Sequence, residues 1–162
     1  MSRAHLSARE KAPGDDSAGR DAEGYFLKGA ELAFPTYFII EDHPRDLDDI
    51  YGEYGVIPEA KITNPRTGRF LFIEVKRQGM SGNAEERAYK HYAPGFIRLL
   101  KERYDLPYHP FATIFCEDLA WDPRYTDKIQ SSLDYPHYLF WEDYAEDLMA
   151  EWVDHVREAW LG

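Results

Sequence analysis

The chain has one cysteine, no long apolar run and a deficit of positive charge, and each shortage excludes something. A lone Cys116 rules out an intramolecular disulfide or a cysteine zinc cluster, and its place in the apolar run 111–116 makes it an expected core residue. No stretch approaches the roughly eighteen apolar residues that could span a bilayer, and no apolar N-terminal segment carries a cleavage site, so the expectation is a soluble, cytoplasmic protein without a membrane partner. Basic side chains number 19 against 30 acidic ones, a net charge of −11 at pH 7. That argues against general affinity for polyanions, which rests on Lys and Arg displacing counterions. The charge is segregated, however. Between Lys61 and Arg103 ten basic residues face four acidic ones, a local excess of six that leaves −17 on the rest. One cationic face with an acidic back fits that pattern; so does an ordinary solvated surface.

What is present is enough for one core: 162 residues, 44% of them hydrophobic and 15% aromatic. Residues 1–23 hold almost nothing large and apolar and are expected to be a disordered tail, leaving 24–162 as a single domain. Within it the patterning predicts a short helix over 25–34 and strands over 36–40, 56–63, 69–76, 111–116 and 138–141. A helical stripe of Ala84, Ala88 and Tyr92 restarts after Pro94-Gly95 as Phe96, Leu99 and Leu100. A terminal amphipathic helix over 142–160 carries Leu148, Trp152, Val156 and Trp160 on one face, read as core-facing ahead of a dimer helix. This order gives an α/β sandwich with a mixed sheet flanked by helices.

Strands 56–63 and 69–76 are joined by Asn64-Pro65-Arg66-Thr67-Gly68, which supplies the fixed and the permissive backbone of a turn. If residues 65–68 form the loop, Asn64 pairs with Arg69 and Glu59 falls opposite Glu74. Opposed side chains lie about 5 Å apart, so two carboxylates there repel. Strand alternation puts Lys76 beside Glu74 while Ile73 and Val75 face the apolar layer. Two carboxylates and an ammonium in one place can hold Mg²⁺ and act on a phosphodiester. A salt-bridged hairpin, with Lys61 or Lys76 neutralising a neighbouring glutamate, accounts for the same residues; Glu59-Ala60-Lys61 is itself a second acid-x-Lys triplet.

Pro58-Glu59, fourteen residues, then Glu74-Val75-Lys76 resembles the signature of the PD-(D/E)XK nuclease superfamily, and Gly82-Asn83-Ala84-Glu85-Glu86-Arg87 resembles the GNAxER motif of restriction endonucleases of the EcoRI/MunI type. The resemblance covers roughly 57–103. It implies the restriction-endonuclease-like fold, with Glu59, Glu74 and Lys76 catalytic, Glu59 and Glu74 holding Mg²⁺, and Asn83, Ala84, Glu86, Arg87 and Lys90 on DNA. It further implies sequence-specific double-strand cleavage at a site with an AATT core by a homodimer. Physically, Asn pairs bidentately with adenine, and a helix N-terminus suits a phosphate. Asn83 and Glu86 also fit a capping box, and Glu86 and Lys90 an i,i+4 ion pair.

Glu59 stands where the family usually has Asp. A longer arm shifts the metal, so Glu31 and Asp42 are alternative acids to consider. The rival readings are a catalytically silent DNA-binding or regulatory protein on the same fold, a nicking, homing or repair nuclease, and an acidic DNA mimic. His109, His137 and His155 show no metal-ligand spacing.

Overall fold

The computed structural model describes residues 17–77 and 84–162. Ser17–Ala33 forms α1, which buries Ala22, Phe26 and Ala30 at helical spacing. This corrects the expected boundary: the helix begins inside 1–23, because Ala22 supplies the first contact of the apolar stripe. Residues 1–16 lie outside the described part.

Five strands follow in the sheet order β1-β2-β3-β4-β5: Ile39–Asp42, Ala60–Asn64, Arg69–Arg77, Phe111–Cys116 and Tyr138–Trp141. The first three are antiparallel neighbours, and β3, β4 and β5 run parallel, giving the expected mixed sheet. The hairpin has the register deduced from its turn, with Asn64 opposite Arg69 and Ala60 opposite Ile73. Gly68, at φ 78°, supplies the left-handed residue of that turn. β1 starts later than expected, because Phe38 is drawn into the core beside Phe34 instead of continuing a strand. β2 is shorter, since 56–58 are led away by the loop before them; at Gly55 a Cβ would lie 1.9 Å from the Leu47 carbonyl oxygen.

Both sheet faces are covered. Ile62, Leu71, Ile73, Val75, Ile114 and Cys116 pack against α1 and the C-terminal helix α6, Glu146–Val156. Trp152 of α6 is fully buried, as the core-facing reading requires, while Trp160 stacks partly buried on Tyr108. The opposite face is covered by the short α2, Ala84–Ala88, the 3-10 turn Tyr89–Tyr92 and α3, Pro94–Tyr104. After β4 come α4, Asp118–Trp121, and α5, Pro123–Ser132, whose Tyr125 and Ile129 join Ala88 and Phe115. α5 was not anticipated, although Asp122 caps it by accepting from the Arg124 amide at 3.0 Å and Pro123 occupies its first turn. Among the described residues no helix is long and apolar enough to cross a membrane.

Candidate active site and nucleic-acid interface

Glu74 and Lys76 leave β3 on the α2/α3 side, while Ile73 and Val75 enter the other core. Glu74 is buried, and Lys76 Nζ stands 3.1 Å from its Oε2. Glu59 sits one residue before β2; its amide donates to the Ile73 carbonyl at 2.9 Å, which continues the hairpin register and sets it against Glu74. Its carboxylate turns back along the sheet and accepts from the Val75 amide at 3.2 Å. Desolvation first, then the charge of Glu74 and a hydrogen bond to it, push the Glu59 carboxyl up to about 10. Glu59 therefore holds a proton at neutral pH unless a cation replaces it.

A third acid, which the sequence reading missed, comes from α1. Glu23 lies one position beyond buried Ala22; burial and the negative charges of Asp42 and Glu74 raise its pKa, against the pull of His43 and Lys76. His43, left-handed at φ 48°, contacts Asp42 at 2.7 Å and Glu23 at 3.6 Å, and its amide donates to the Glu59 carbonyl at 3.0 Å. The available signal was the stripe Ala22, Phe26, Ala30, which extends α1 toward Glu23. Of the alternatives considered, Glu31 is exposed on α1 away from these groups, and Asp42 reaches only His43 and the edge of Glu23.

Oxygen donors alone suit a hard divalent cation, and the proton held on Glu59 marks where positive charge is wanted. No group of three or more His, Cys, Asp or Glu among the described residues forms a ready cage. Mg²⁺ tolerates that, since it keeps several waters and takes one or two carboxylates plus substrate phosphate.

α2 opens the other half of the site. Glu86 and Arg87 are exposed there, as is Lys90 in the 3-10 turn that follows, whereas Glu85 is buried and paired with Lys128 of α5 at 3.2 Å. The anticipated Glu86–Lys90 ion pair does not form; the acid that pairs is Glu85, because its side chain points at α5. Asn83 and Gly82 lie outside the described residues, and of Ala84 only the backbone is described, as the first residue of α2. The cationic face is smaller than the count suggested. Asp46 takes Lys61 at 2.8 Å, Asp49 takes Arg103 at 3.1 Å and Glu117 takes Arg77 at 3.3 Å.

A five-stranded mixed sheet between helices, with two carboxylates and a lysine meeting at the open end of its central hairpin, defines the PD-(D/E)XK nuclease class. The family model for type II restriction enzyme MunI matches residues 45–160, and the chain belongs to that family. Type II restriction enzyme MunI of Mycoplasma sp is 29% identical over 136 residues, covering 76% of this chain and 63% of the relative. The crystal structure of MunI restriction endonuclease in complex with cognate DNA superposes with a TM-score of 0.65 at 23% identity, over 87% of this chain and 91% of that one. The last likeness supports the fold.

Proposed function

We propose that this chain is a sequence-specific, Mg²⁺-dependent double-strand DNA endonuclease acting as a homodimer on a site with an AATT core. The observation that carries the reading is the opposition of Glu59 and Glu74 beside Lys76. A two-fold protein matches a palindromic site.

Glu59 and Glu74 would hold the ion, with Glu23 as a further acid facing it. Bound there, Mg²⁺ supplies Lewis-acid polarisation of the scissile phosphate. Lys76, held by Glu74, keeps its ammonium at the reacting phosphate, where it orients the attacking water and offsets the developing charge. Arg87, from α2, and Lys90, from the 3-10 turn after it, would meet the DNA, and the family resemblance assigns base contacts to Asn83, Ala84 and Glu86. The sheet and α5 keep α2 aligned through buried Ala88 and the Glu85–Lys128 pair.

A second reading, a catalytically silent DNA-binding protein, draws on Glu59, whose carboxylate is engaged by Val75 and Glu74. One assay separates the two. Plasmid bearing many AATT-containing sites is incubated with Mg²⁺ or EDTA, using the parent and Glu74→Ala. Discrete Mg²⁺-dependent fragments, absent with the variant, support the nuclease; intact but gel-shifted DNA supports the silent binder.

A further inference from the structure

Glu117 is the first residue after β4, and it adopts φ 58°, ψ −130°, a conformation that glycine visits freely and a side chain resists. Such a residue persists only where its surroundings hold it. Two groups do so here. Arg77 Nη2 approaches its Oε1 at 3.3 Å, and the Tyr144 hydroxyl donates to its Oε2 at 2.8 Å. Tyr144 is itself left-handed, at φ 55°, next to Asp143 at φ 52°. Two strained non-glycine residues are thus joined by one carboxylate.

Their positions give the junction meaning. Arg77 ends β3 directly after Lys76 and pairs in register with Cys116, the residue before Glu117. Six residues separate Arg77 from Ala84, where α2 begins. At the other end the Tyr144 ring packs edge-on against Tyr25, centroids 4.6 Å apart, two residues beyond Glu23 on α1. One carboxylate therefore ties together the exit of the strand bearing Glu74 and Lys76 and, through Tyr144, the helix bearing Glu23. Arg77 and Glu117 are both partly buried, at 27% and 20% side-chain exposure, so the ion pair is better shielded than a fully exposed one.

We propose that Glu117 is a positioning residue that holds the end of β3, and with it Lys76, in the alignment the cleavage step requires. The inference rests on the nuclease reading. Charge and hydroxyl are separable in Glu117→Gln, which keeps the shape and the Tyr144 bond but loses the ion pair, and in Tyr144→Phe, which loses only the hydroxyl. Misplacement at this scale costs about 10- to 100-fold in kcat. The expected result is a kcat lowered by about that factor in Glu117→Gln with KM for DNA nearly unchanged, and a smaller loss in Tyr144→Phe. Thermal unfolding should stay near the parent's. A kcat of Glu117→Gln within about twofold of the parent's overturns the proposal. If Glu117→Gln does not fold, Tyr144→Phe decides by the same kcat criterion. Hydrogen exchange of the free proteins supplies an independent arm: amides from Val75 to Arg77 should exchange faster in both variants while those of β2 do not, and unchanged exchange overturns the proposal. An inactive parent would remove the nuclease reading, and the exchange result would still decide whether Glu117 holds the end of β3.

Discussion

The proton held on Glu59 predicts an unusual pH dependence of stability, which Glu59→Gln should erase. With the Glu59 carboxyl raised from 4.5 to about 10, this one residue holds a proton in the metal-free folded protein that it has lost in the unfolded chain throughout that interval. Unfolding free energy then falls as pH rises, by at most ~1.4 kcal/mol per pH unit for one group. At pH 7 the accumulated penalty is bounded by the 2.5 units above the model-peptide value, ~3 kcal/mol, and relaxation around a half-buried group reduces it to about 1–3 kcal/mol. In Glu59→Gln the amide oxygen still accepts from the Val75 amide and the NH₂ donates to Glu74, so the packing survives without the titration. The assay is urea unfolding in EDTA at several pH values from 7 to 9. The parent should lose about 1 kcal/mol per pH unit, the variant almost nothing, and Mg²⁺ should flatten the parent's slope as it takes the proton's place. At pH 7.5 the variant should melt roughly 5–10 °C higher than metal-free parent, while losing DNA cleavage. A flat parent profile in EDTA, or an equal slope in the variant, would refute the proton held on Glu59.

The opposite dependence is expected below pH 6.5. Burial lowers His91 and His109 to about 4 and lowers His137, so the unfolded chain binds more protons there and stability falls as pH drops from about 6.5 toward 4. His91→Phe should lessen that slope in acid titrations followed by circular dichroism; an unaltered slope would contradict it. Asn64→Ala removes a buried amide that donates to the Leu161 and Gly162 carbonyls at 2.9 and 3.2 Å and accepts from the Arg66 amide, and should cost about 2–3 kcal/mol in urea unfolding with kcat unchanged. Arg87→Ala should weaken DNA binding and reduce its salt slope, whereas Arg103→Ala, already paired with Asp49, should change that slope little. Equal slopes in salt titrations of the two variants would show that α2 is not the phosphate-contacting element.

The sheet was legible because its signals are local. The Pro65–Gly68 turn fixed the hairpin register, alternation placed Glu74 and Lys76 on one face, and the unbroken apolar run 111–116 marked β4 with its bounds. α5 was hidden because its apolar positions are few and its stability comes from Asp122 capping and from Tyr125 and Ile129 reaching a core assembled by other elements. Glu23 was hidden for a similar reason. Its role depends on a helix crossing the sheet end, and a segment poor in large side chains gave no reason to extend α1 that far. Ion pairs across long sequence distances were beyond any spacing rule: Asp46 to Lys61, Glu117 to Arg77 and Glu85 to Lys128 each join separate elements.

On the proposed reading, these pairs also reconcile an acidic chain with a DNA substrate. Acids from outside 61–103 close onto Lys61, Arg77 and Arg103, where positive charge would otherwise attract nucleic acid indiscriminately. Arg87 on α2 and Lys90 in the 3-10 turn after it remain exposed. The motif divides by burial in the same way: Glu86 and Arg87 face outward, and Glu85, at the variable position, anchors α2 to α5. On that reading, attraction is confined to the element proposed to meet DNA, and the acidic remainder opposes association anywhere else. A protein of this charge gives up non-specific affinity, which is the term that a site-selective nuclease gains least from keeping.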